Sequence, residues 1–200
     1  MLLIFEQQQI EYEIMPSSDD VIGKINELLS EDYYFSHFIA DGTEIYEDHE
    51  EYLNVNLKNI KKLEVIAKTE KEFMNDVLLS TEDYFKRAKP DLASLPEDFY
   101  SNPTVDTWMS FDMLLEGAGW LNDMLAVVEE SKERPVNWIA YAKLTIALQQ
   151  ELAKLGQAVE RKNHVQIGDI IRDGIIPNYA ALEAEIERTI DAEGTREGLS

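Results

Sequence analysis

The side chains in this chain that can do chemistry are above all carboxylates. Forty Asp and Glu stand against 18 Lys and Arg, a formal net charge of −22 over 200 residues, with three histidines and no cysteine. The lack of cysteine excludes disulfides, zinc–thiolate sites and thiol nucleophiles. His37, His49 and His164 have no metal-ligand spacing among themselves. His49 stands in Glu47-Asp48-His49-Glu50-Glu51, which is rich in hard oxygen ligands but lacks the glycine-punctuated spacing of a calcium loop. It reads as a solvated charged turn. Di-iron bundles need Glu-x-x-His pairs on facing helices, and the helical stretches here have none. Gly117-Ala118-Gly119 lies inside an apolar helical pattern with no Lys-Ser or Lys-Thr after it, so it reads as a close helix crossing and not as a phosphate loop. There is no Gly-x-Ser-x-Gly elbow. Asp112, Glu116 and Asp123 share one helical stretch, and Asp169 and Asp173 another. Buried pairs of that kind can do acid–base work, yet in so acidic a chain they arise by chance. No catalytic, cofactor-binding or metal-binding residue is assigned, and no cofactor is expected.

The charge also sorts partners. A surface this negative repels phosphate backbones and anionic lipid, so nucleic acid and membrane are not expected partners, and a basic protein or peptide is a better one. The amino terminus, MLLIFEQQQ, has no basic n-region and an apolar run of four residues, far below a signal peptide or a membrane span. The cytoplasm is the expected location.

The elements that position these residues fall into two sets. Leu2 to Phe5 form an apolar run, and Ile10, Tyr12 and Ile14 alternate as one face of a strand. A hairpin through Glu6–Gln9 follows. Val21, Ile25, Leu28 and Leu29 give a short amphipathic helix over 19–30. Tyr33–Ile39 and Thr43–Tyr46 read as strands around an Asp41-Gly42 turn, and Leu63–Ala67 as the last strand. Thr69 and Glu72 have capping-box spacing, which places a domain boundary at 67–69 with a rigid junction. Helices are then expected over 70–88 (ended by Pro90), a short piece around Pro96, 104–131, 135–162 with Pro135 in its first turn, and from Val165 onward with a kink near Asp173–Gly174 caused by Pro177. The stretch Trp108–Val128 organises this part. Trp108, Phe111, Leu115, Ala118, Leu121, Leu125 and Val128 hold one face. Trp120 lies off that stripe, with Met109, Met113 and Met124 around it, and of these four Trp120, Met113 and Met124 are singled out. These three are the candidate partner-binding residues, because tryptophan anchors interfaces and methionine adapts to irregular partners.

The expected fold class is α+β: a small β-grasp-like N-terminal domain (1–67), an antiparallel four-helix bundle (68–191) and a disordered tail (192–200). The element order of the first part resembles a β-grasp (ubiquitin-like) fold, which implies one curved sheet over a helix. The run Gly168–Tyr179, with Ser110–Leu125, resembles uncharacterised acidic proteins of Gram-positive bacteria. The bundle is similar in size, acidity and helix order to flagellar export chaperones, and that likeness transfers no functional residue. A non-catalytic adaptor or chaperone-like protein follows as the expected function, with a basic or helical protein partner and a homodimeric assembly. The alternative is a small-molecule enzyme using carboxylates in a pocket between the two domains.

Overall fold

The computed structural model describes residues 1–30 and 33–196. The chain divides into two compact units, Met1–Phe73 and Met74–Ser200.

The first unit is a five-stranded sheet in the order β2-β1-β5-β3-β4. β1 (Leu2–Phe5) and β2 (Gln8–Glu11) pair antiparallel, with Phe5 opposite Gln8. The turn is therefore only Glu6-Gln7, and Glu6 takes a φ of +51°, as tight hairpins require. Gln8 and Gln9, expected in the linker, belong to the strand. Ile14, expected on the inner face with Ile10 and Tyr12, lies beyond the strand end and is 86% exposed. α1 (Ser18–Leu29) is capped by Ser17 and Asp20, each side chain accepting from the other's backbone N–H. It buries Val21, Ile25 and Leu29, one every four residues. β3 (Tyr33–Ala40) and β4 (Thr43–Ile45) flank Asp41 and Gly42, both at positive φ. The Asp41 carboxylate also accepts from the backbone N–H groups of Lys61 and Lys62, which ties this turn to the start of β5 (Lys62–Thr69). These bonds hold the Asp41 carboxyl below its ordinary pKa. β5 runs parallel to β1 and antiparallel to β3. This is the β-grasp-like arrangement that the element order implied.

One helix was not foreseen. α2 (His49–Asn56) begins inside the acidic stretch read as a solvated turn. Leu53 is fully buried and, with Leu57 and Ile60, completes a core built from Leu3, Phe5, Val21, Ile25, Phe38, Leu63 and Val65. Acidic residues in a helix's first turn are favoured by its dipole, and Glu50 and Glu51 stand there. A single buried leucine gives almost no periodic signal.

The second unit is helical: α3 (Glu70–Ser101, which starts in the first unit), α4 (Val105–Glu130), α5 (Trp138–Glu160), α6 (His164–Ile170) and α7 (Ile176–Glu193). The capping box at Thr69 and Glu72 forms, with Thr69 N–H donating to the Glu72 carboxylate at 2.8 Å. Pro90 does not end α3, and the piece around Pro96 is part of the same helix. Each proline removes one backbone bond. Met74, Leu78, Thr81, Phe85, Ala88, Leu92, Leu95 and Phe99 keep an unbroken alternation of four and three residues through both prolines, and all but Ala88 are buried. A continuous apolar seam outweighs two lost hydrogen bonds. On α4 the seam is Thr107, Phe111, Leu114, Ala118, Leu121, Leu125 and Val128, again alternating four and three. Leu115, expected inside, is 41% exposed, and Leu114 takes its place. Pro135 lies before α5 and not in its first turn: Trp138 N–H donates to the Pro135 carbonyl at 2.9 Å. Asn137 precedes the helix with its amide on Glu185 at 2.7 Å.

The last helix changes pitch instead of merely kinking. Residues Ile171–Ile175 form a π turn between α6 and α7, with Ile176 N–H donating to the Ile171 carbonyl. Ile167, Ile171, Ile175 and Tyr179 are spaced four, four and four, one residue more than a four–three alternation allows. A π turn absorbs such an insertion, and all four side chains stay buried. Of the expected disordered tail, 197–200 lies outside the described residues. Residues 192 and 193 continue α7, the Thr195 backbone exchanges two hydrogen bonds with the Asn75 side chain, and Arg196 reaches Glu82 at 2.7 Å.

Candidate functional site

α3 and α4 enclose a pocket of about 230 Å³ lined by Tyr84, Arg87, Ala88, Asp91, Leu92, Leu95, Ser110, Met113 and Leu114. Its origin is local. Ala88 is the small member of the α3 seam, so it leaves room opposite Leu114. Tyr84 forms one wall, and its hydroxyl overlies Gly117, where an added Cβ would sit 1.9 Å from it. Gly117 is thus the close approach foreseen, but of a side chain and not of a backbone. Among the described residues nothing lies within 4 Å of a Cβ on Gly119. Tyr84 also meets Trp120 at 5.3 Å between ring centroids and Tyr179 at 6.4 Å. Burial pushes the Tyr84 hydroxyl above its ordinary pKa. Tyr179 is pushed up by burial too, with the Tyr84 hydroxyl acting in the same direction. The Tyr179 hydroxyl is buried and, among the described residues, has no hydrogen bond of ordinary geometry.

The three candidate residues part company. Met113 is 64% exposed and lines the pocket. Trp120 is half-buried against Tyr84. Met124 is half-buried in the interior, beside a space of about 10 Å³ among Val77, Phe85, Leu121 and Leu182, which is at most one water. Sequence reasoning left Val105 and Met109 out of the candidate set. They continue the Met113 row at four-residue intervals and are 76% and 61% exposed. A second apolar row on the same helix, out of phase with the seam, was the signal available.

The acidic candidates stay apart or pair with bases. Asp112, Glu116 and Asp123 are exposed along α4. Asp169 accepts from the Tyr100 hydroxyl at 2.9 Å and from Arg172 at 3.2 Å, and Arg172 also holds Asp173 at 2.7 Å. That bond keeps the Asp173 carboxyl below its ordinary pKa. His37 stacks on Tyr46, His49 Nε2 lies 3.0 Å from the Ile45 carbonyl, and His164 packs near Phe99 and Trp108. Among the described residues, no three His, Asp or Glu are placed to hold a metal ion, and no helix is long and apolar enough to cross a membrane.

The architecture is a small sheet unit followed by a helical one whose long helices carry seven-residue seams. Residues 76–185, more than half of the chain and all within the helical unit, match the family described as Domain of unknown function (DUF8042). The chain belongs to that family. No curated protein and no solved structure matches it.

Proposed function

We propose that the helical unit is a non-catalytic protein-binding module, adaptor-like or chaperone-like, acting in the cytoplasm as a homodimer. One observation carries this reading: an apolar pocket opens between α3 and α4 beside an exposed row of Val105, Met109 and Met113. Contiguous exposed apolar surface marks interaction sites, and methionine adapts to partners of irregular shape. The match in shape is to one large apolar side chain of a partner helix laid along α4, with neighbouring residues on the methionines. The likeness of the bundle in size, acidity and helix order to flagellar export chaperones points the same way.

A photo-crosslinking residue at position 113 tests the reading. It should trap in host lysate a protein that the same residue at position 123 does not, and Ala88→Trp, which fills the pocket, should abolish the adduct. Identical adducts from both positions would remove the proposal. Light scattering on the wild type and on Met109→Glu/Met113→Glu measures the assembly.

A further inference from the structure

The sheet unit holds a larger concavity than the helical one. About 660 Å³ opens between α1, α2 and β3, with Ile22, Ile25, Leu29, Phe35 and Phe38 among its lining residues. That lies within the range of about 300–1,000 Å³ usual for ligand pockets. Three carboxylates also line it, Asp48, Glu50 and Glu51, with the side-chain amides of Asn26 and Asn54 and the ring of His49, which packs edge-on against Phe35 and Phe38. Asp48 stands at the cap position of α2 but at a φ of +48°, so its carboxylate makes no capping bond. Among the described residues none of the three carboxylates has an ion-pair partner, whereas Lys24 and Lys62 of the same unit are taken by Glu27 and Glu64. A net charge of −22 leaves few cations elsewhere to serve them.

We propose that this groove binds a basic peptide segment of a partner protein, with apolar side chains on the Ile22–Phe38 floor and Lys or Arg against Asp48, Glu50 and Glu51. The proposal is independent of the pocket on the helical unit. Charge sets the sign of the occupant: an anion meets three unpaired carboxylates. The apolar floor calls for side chains that a polyamine lacks. Asn26 supplies a donor and an acceptor and Asn54 a donor, which suits a peptide main chain. Asn54 already accepts from the Ser18 hydroxyl, which fixes its orientation and leaves its N–H groups free to donate.

The test uses the full-length protein and a fluorescein-labelled peptide of alternating Arg and Leu, read by fluorescence anisotropy. Asp48→Asn/Glu50→Gln/Glu51→Gln should weaken binding by about tenfold, the sum of three exposed charge contacts. Asn tolerates positive φ, and circular dichroism checks that the fold persists. Glu6→Gln/Glu11→Gln/Glu13→Gln removes the same charge outside the groove and should leave binding within about twofold. Ile22→Ser should weaken the Arg–Leu peptide and leave spermine unaffected. Equal losses in the two charge variants would show attraction to overall charge alone and overturn the proposal. So would spermine binding as tightly as the peptide, or no response to Ile22→Ser.

Discussion

The hydroxyl of Tyr84 occupies the space that a side chain on Gly117 would need, so a residue on α3 and a missing side chain on α4 together shape one wall of the pocket.

Gly117→Ala must therefore displace Tyr84. Overpacking of this kind costs about 1–3 kcal/mol, offset by up to about 1 kcal/mol of helix propensity. Gly119→Ala gains the propensity and meets nothing within 4 Å. Chemical denaturation should show the first variant destabilised and the second equal to or above wild type. The crosslink at position 113 should fall only in the first.

Glu82 is 5% exposed and lies between Lys86 and Arg196, each at 2.7 Å. Burial works to raise its pKa, but the bonds to Lys86 and Arg196 outweigh this and hold it below the ordinary value. A carboxyl lowered on folding adds stability above its unfolded pKa, about 4.3, and loses it as pH falls through the folded value. Arg196→Ala should therefore lower the melting temperature clearly at pH 7 and much less at pH 3. An equal loss at both values would mean that packing, not charge, holds the segment after α7 to α3.

The π turn at Ile171–Ile175 absorbs one extra residue. Deleting Asp173 leaves Ile167, Ile171, Ile175 and Tyr179 in a four–three–four spacing, which an ordinary α-helix keeps in phase. The deletion should melt cooperatively with unchanged helix content. Deleting Ala184 instead, where α7 has no surplus residue, carries Ile186 and Ile190 off the seam. With two isoleucines exposed, it should lose about 3 kcal/mol or more and cooperativity with it. Cooperative melting of both, or of neither, counts against the seam as the cause of the turn.

These elements show what the sequence made legible. The last helix was read in outline: a helix was expected from Val165 onward, α6 begins at His164, and Ile167, Ile170, Ile171, Ile175, Tyr179, Leu182, Ile186 and Ile190 along it are all buried. The place of its irregularity was visible through Pro177, but its form was not, because proline suggests a kink while the triple spacing of four demands a wider turn. Pro90 and Pro96 misled for the related reason that a local breaking signal was weighed without the seam running past it. α2 was illegible because its charged first turn looks like loop. The pocket was half legible. Met113 was picked out by residue type, but Ala88 and Tyr84 matter through the partner helix, and one helix's pattern does not reveal which small residue faces which large one.

Tyr34 and Phe73 stack face to face, 4.2 Å between ring centroids and 6° from parallel. Tyr34 belongs to the sheet and Phe73 to the opening turn of α3, so the first unit reaches past its own last strand. A fragment cut at Thr69 would bare one ring and lose the Glu72 carboxylate that accepts from the strand's final N–H. A fragment ending no earlier than Phe73 keeps both, and the excised sheet should be prepared that way.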